Sequence, residues 1–151
     1  MKSFCKFTTV LVTLALFFVF TSCKNSSSAD DGMTITKLKA PTNLVVNSIE
    51  DASNINSAAN VNISFDYNGQ FEGATYGILG YSTTNDSSQA IYDSYNSTVH
   101  VEAGKNTRTA NIQNLHLVSG RKYYFWLKVT SSSYNFSDSP WSNVAEFTYN
   151  D

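Results

Sequence analysis

Beyond residue 40 the chain alternates apolar and polar positions with a period of two, and no long stretch keeps the apolar spacing of a helix. Val61, Ile63, Phe65 and Tyr67 alternate with Asn62, Ser64 and Asp66, and the run stops at Asn68-Gly69, which predicts a half-buried strand ending in a turn. Tyr123, Phe125, Leu127 and Val129 alternate with Tyr124, Trp126 and Lys128 in the same way. Further strands are predicted at Leu44 to Val46, Tyr76 to Ser82, Ser97 to Glu102, Arg108 to Ile112 and Asn143 to Tyr149, where Val144 and Phe147 break strict alternation. Tyr76 to Ser82 admits two phases, Tyr76 and Ile78 inward or Leu79 and Tyr81 inward, with Gly80 placed for a bulge between them. Seven short strands with Asn, Ser and Gly turns between them predict an all-β sandwich.

The start of the chain follows another rule. Lys2 and Lys6 precede Val10 to Phe20, an apolar run broken only by Thr13, and the small residues Thr21, Ser22 and Cys23 follow. This is the layout of an export signal, and the run is shorter than the roughly 20 residues a spanning helix needs. Phe20-Thr21-Ser22-Cys23 resembles the bacterial lipobox, with Phe20 where Leu is usual. The resemblance implies that Cys23 becomes the mature N-terminus and carries a thioether-linked diacylglycerol, usually with an amide-linked third chain. It also implies a cell-envelope protein anchored through that lipid, at the outer membrane or cell surface of a bacterium. The alternative is an ordinary cleaved signal with an incidental Cys23. Two or three acyl chains anchor stably where one holds only marginally. Cys5 and Cys23 are the only cysteines, so removal of residues 1–22 leaves no pair for a disulfide.

Lys24 to Gly32 is a Ser-rich polar stretch with nothing to bury, a flexible tether. The expected organisation is a signal over 1–22, a linker over 23–39 and one domain over 40–151, with Ala40-Pro41 as the boundary. Met33, Ile35 and Leu38 suggest that order begins before Ala40, but Ala40-Pro41 is the cleaner boundary.

Composition narrows the function classes. The 151 residues are 42% hydrophobic and 15% charged, with ten Lys and Arg against twelve Asp and Glu. Without Lys2 and Lys6 the balance is eight against twelve, a net charge of −4. Such a chain is unlike a disordered tail, and its charge provides no electrostatic reason to bind nucleic acid. A domain of roughly 110 residues can hold together by its core without disulfides.

The strands carry a family resemblance. Ala40-Pro41-Thr42-Asn43-Leu44, the Val61 to Tyr67 strand, the stretch Tyr76 to Thr84, and Leu117-Val118-Ser119-Gly120-Arg121-Lys122-Tyr123 together resemble a fibronectin type III domain, a seven-stranded immunoglobulin-like β-sandwich. Leu117, Gly120 three residues on and Tyr123 six residues on form the most specific part. The resemblance implies that Tyr123 is the structural tyrosine corner, its hydroxyl bonding back to the preceding loop. Ser139-Pro140-Trp141-Ser142-Asn143 also looks like bacterial members. Phe65 stands where the family carries a core Trp, and Asn85 to Ser97 is longer than usual. No Arg-Gly-Asp is present, so the integrin contact of some relatives does not carry over.

Candidate chemistry is sparse. His100 and His116 are the only histidines, and no metalloprotease, nucleophile-elbow, phosphate-loop or paired-cysteine motif occurs. We therefore expect no catalytic residue, no metal and no cofactor. His100 and Glu102 point the same way from one strand, either half of a metal site or a solvated face. Asp30-Asp31-Gly32 falls far short of a calcium loop, and Asp66, Glu72 and Asp86 read as surface charges. With Tyr123, Phe125 and Leu127 inward, Tyr124, Trp126 and Lys128 form an outward face. Those aromatics either anchor a protein partner or a sugar ring, or lie under a cross-strand ladder with Tyr76 or Tyr81. Trp141 reads as a core or edge plug. The expected function is binding or adhesion at the cell surface, with glycan binding or an envelope spacer as alternatives.

Overall fold

The computed structural model describes residues 34–52, 58–70 and 75–150. The stretch read as an export signal, Cys23, Asp30, Asp31 and Glu72 lie outside the described residues. The strands are β1 (Thr36–Lys37), β2 (Thr42–Asp51), β3 (Ala59–Tyr67), β4 (Thr75–Ser82), β5 (Thr98–His100), β6 (Gly104–Ile112), β7 (Lys122–Ser131), β8 (Phe136–Ser137) and β9 (Ala145–Thr148). Among the described residues there is no α-helix, only a 3₁₀ turn at Ser87–Gln89. Antiparallel pairing gives one sheet in the order β2-β3-β6 and another in the order β5-β4-β7-β9. β1 and β8 form a separate parallel ribbon, two short strands that alternation alone did not predict.

The two larger sheets close on one core, which makes the fold an all-β sandwich. β3 alternates buried and half-buried positions along its whole length, and Val61, Ile63, Phe65 and Tyr67 are its buried set. From the facing sheet come Leu79, Tyr81, Tyr123, Phe125, Leu127 and Val129. Each such side chain contributes on the order of 1.5–3 kcal/mol by leaving water. Phe65 fills its core position as an apolar ring. In β4, Leu79 and Tyr81 join the core, and Ile78 is buried on the opposite face. Gly80 marks no bulge, because the β4–β7 register runs unbroken from Thr75↔Ser131 to Ser82↔Tyr124. The irregularities sit in β2 instead, near Asn43, whose φ of 55° is left-handed.

The outer face of β2-β3-β6 is an amide and hydroxyl ladder. Asn111 donates to Asn60 at 2.9 Å, Thr109 to the Asn62 side-chain oxygen, and Asn62 to Ser48 at 2.7 Å. This sheet therefore carries water on one side and core on the other.

Single side chains stitch the sheets together. Asn106, buried, accepts from the Glu102 amide and donates to the Glu102 and Gly104 carbonyls, all at 2.9 Å, where the chain crosses from β5 to β6. Asn143 clasps Leu44 of β2, accepting from its amide at 2.9 Å and donating to its carbonyl at 3.0 Å.

The linker expected over 23–39 ends earlier than residue 39. Thr36–Lys37 form β1, the Leu38 amide donates to the Ser137 carbonyl at 3.1 Å, and the Leu38 side chain enters the core. A buried leucine and a strand pairing are what a flexible tether lacks.

Candidate functional site

β7 places Tyr124, Trp126 and Lys128 on the outer face of the four-stranded sheet, opposite Ser82, Gly80 and Ile78 of β4. Tyr124 and Trp126 stack with centroids 6.5 Å apart and planes at 23°. Of the two readings of this face, the covered one describes the fold: Trp126 is only 4% exposed and Tyr124 half-buried. The Lys128 side chain is 15% exposed and bridges to Asp138 at 3.2 Å. Neither Tyr76 nor Tyr81 covers this face. Tyr81 points into the core, and Tyr76, at the far end of the strand, is exposed.

The cover comes from two chain segments. After β7, the Ser139 hydroxyl accepts from the Val129 amide at 2.8 Å and the Ser142 hydroxyl from the Leu127 amide at 3.0 Å. The Ser139 and Ser142 amides donate back to the same two residues, at 2.9 and 2.8 Å. Ser-Pro-Trp-Ser is thereby tied to the edge of β7 at both ends, and Trp141 folds over the sheet. A Cβ on Gly80 would lie 3.1 Å from Trp141 Cη2 and 3.2 Å from Ala90 Cβ. Glycine opposite Trp126 is what lets both segments come this close.

The second segment, residues 83–97, joins β4 to β5. Asp86 caps its 3₁₀ turn, accepting from the Ser88 amide at 2.9 Å, and Ile91 bridges back to Tyr81. Tyr92 meets Trp141 edge-on with centroids 5.5 Å apart. The Lys128 ammonium lies 4.4 Å from the Tyr92 centroid and 5.3 Å from that of Trp141. The cation thus occupies an aromatic corner built by its own chain.

What this roof leaves uncovered is its own outer side. Ile91, Tyr92 and Tyr95 are exposed, Tyr95 at 90%. The loop that carries them is pinned: the Asp93 carboxylate accepts from the Tyr95 amide at 2.8 Å and from the Asn96 amide and side chain at 3.3 and 2.7 Å. These bonds, the Tyr95 amide first, hold the Asp93 carboxyl below its ordinary 3.8. The Ser97 amide donates to the Asp93 carbonyl at 3.0 Å and closes the turn. Beside the loop lies a cleft of about 160 Å³, lined in part by Tyr81, Tyr92, Gln113 and Asn114. A larger groove of about 350 Å³ lies near Asn43, Asp66 and Lys105, where the Asn43 amide already holds Asp66 at 2.7 Å. Alternation located the aromatic face but missed Ile91, Tyr92 and Tyr95, which belong to a loop with no period.

The other predicted positions are also placed. The Tyr123 hydroxyl donates to the His116 carbonyl at 2.7 Å and accepts from the Val118 amide at 3.0 Å, bonding back to the preceding loop. His100 Nε2 lies 3.6 Å from Glu102, but Arg108 holds the same carboxylate at 3.1 Å. Among the described residues no three His, Cys, Asp or Glu side chains gather as a metal site. The chain matches no protein-family model and no curated protein.

Proposed function

We propose that the chain is an exported envelope lipoprotein, anchored through Cys23, whose fibronectin type III-like sandwich acts by binding a protein partner and not by catalysis. In this reading β2, β3 and β6 stand for strands A, B and E, and β4, β7 and β9 for C, F and G, the partition of immunoglobulin-like sandwiches, with β5 added beside β4. The Tyr123 hydrogen bonds support the same assignment. The step from sandwich to binding is fold-level analogy.

One observation carries the choice of surface: Ile91, Tyr92 and Tyr95 are exposed on a loop already ordered by Asp86 and Asp93. Aromatic side chains on a preorganised loop supply contact area at low entropic cost. The binding face is accordingly the roof over Trp126, not Trp126 itself. A photo-crosslinking residue in place of Tyr95, in intact cells, tests this. A discrete crosslinked protein, lost with Ile91→Ser, supports the reading; crosslinks no different from those of a residue placed at Lys105 overturn it.

The cleft beside Tyr81 and Tyr92, with Gln113 and Asn114, favours a second reading, glycan binding. A glycan array with the native chain and a Tyr92→Ala variant separates the two, since only a sugar site produces a saccharide signal that the substitution removes. The anchor is tested by labelling with a palmitate analogue, wild type against Cys23→Ala, followed by protease access at the cell surface.

A further inference from the structure

The end of the sandwich that carries β1 and β8 has exposed apolar and basic side chains. β1 lies parallel to β8, with Thr36 beside Phe136 and the Thr36 amide donating to the Asn135 carbonyl at 2.7 Å. That pairing sets Ile35, 60% exposed, next to the turn bearing Tyr134, 88% exposed. The extended backbone alternates here, so Leu38 enters the core while Ile35, Lys37 and Lys39 are exposed together.

We propose that this end of the domain rests on the headgroup layer of the membrane that holds the anchor. The inference depends on the lipid-anchor reading of Cys23. Ile35 follows Cys23 by twelve residues, and on the reading of Lys24 to Gly32 as a tether that length spans on the order of 20 Å. The tether therefore holds the patch against the bilayer at an effective concentration in the millimolar range, where a weak surface is occupied. The chemistry suits that layer: a tyrosine ring with a polar tip and an isoleucine for the interface, and two ammonium groups for anionic headgroups. Docking also orients the molecule. Tyr81, which Ile91 bridges, lies six residues along β4 from Thr75, about 20 Å from the docked end. The loop proposed to take a partner then stands clear of the lipid.

The test uses the chain from Cys23 onward, which contains every residue the structure describes, coupled through the Cys23 thiol to a maleimide lipid. Vesicles of phosphatidylethanolamine and phosphatidylglycerol carry brominated acyl chains, which quench indole fluorescence. Tyr134→Trp is compared with Val118→Trp, which lies ahead of Lys122, at the other end of a strand about 30 Å long. Trp126 and Trp141 are common to both. Quenching at least twofold stronger for Tyr134→Trp, and lost when Ile35→Ser, Lys37→Gln and Lys39→Gln are added, is the expected result. Equal quenching, or none in either variant, overturns the inference; a second copy covering the patch would produce that outcome. Mass spectrometry of the protein extracted from cells reads acylation of Cys23 separately, so failure of the anchor and failure of the surface are distinguishable.

Discussion

Replacing Tyr123 by Phe removes one oxygen and leaves the ring in the core. The hydroxyl makes two hydrogen bonds, to the His116 carbonyl and from the Val118 amide, at 2.7 and 3.0 Å. Each contributes about 0.5–1.5 kcal/mol net, so the variant loses about 1–3 kcal/mol. A folded unit of roughly 120 residues has an unfolding entropy near 250 cal/mol/K, which converts that loss to a Tm drop of about 4–12 °C. Tyr81 is the internal standard. Its ring is also in the core, but among the described residues its hydroxyl has one bond, to the Asn114 carbonyl at 3.2 Å. Tyr81→Phe should lose about half as much. Thermal unfolding followed by circular dichroism, with urea titrations to check that the slope is unchanged, measures both variants. If Tyr123→Phe costs no more than Tyr81→Phe, the two-bond account of the corner is wrong.

Three further outcomes test other parts of the molecule. Gly80→Val puts two methyls into the space held by Trp141 and Ala90. It should destabilise by about 1–3 kcal/mol, red-shift the tryptophan emission and raise acrylamide quenching; unchanged emission would refute the packing. Asp93→Ala removes the acceptor for the Tyr95 and Asn96 amides, so their hydrogen exchange should accelerate while exchange in β3 and β7 stays as it was. Equal rates in the loop would show that the carboxylate does not pin it. Burial pushes the Tyr67 and Tyr81 phenols above their ordinary 10.0, with Tyr123 adding to the effect at Tyr81. Below pH 10 both states hold these protons and stability is full; above it the unfolded phenols ionise first, so stability falls as pH rises towards the folded values. Denaturant midpoints from pH 8 to 11 should decline less steeply in Tyr81→Phe than in wild type, and parallel curves would count against a raised Tyr81.

The sandwich was legible because its core strands have one wet side. In β3 the polar partners of Val61, Ile63 and Phe65 join the amide ladder, so alternation in the sequence copies alternation in burial. β4 resisted the same reading because both of its faces are dry. Leu79 and Tyr81 meet the core and Ile78 is buried on the opposite face, so either phase looks apolar. β1 and β8 pair over two residues each, too short to show a period. The start of order ahead of Ala40 was only faintly legible for the same reason, since Leu38 is one buried residue between two exposed lysines.

Trp126 is covered for a physical reason that joins several features of the sequence. An outward tryptophan beside Ile78 would leave an apolar patch on the sheet, and a folded monomer tends to cover such a patch. The long segment after β4, Gly80, and the Ser-Pro-Trp-Ser stretch each look like local peculiarities in sequence. In three dimensions they are parts of one cover: the segment brings Ala90 and Tyr92, the two serines hold Trp141, and glycine makes the room. Lys128 completes it by setting its charge against both rings and Asp138. Covering one aromatic face at this expense of chain leaves another outside it, because residues 83–97 cannot bury both of their own sides. Ile91, Tyr92 and Tyr95 are the remainder, and their exposure on a hydrogen-bonded loop is the reason the proposed binding surface moves from the strand to the segment above it.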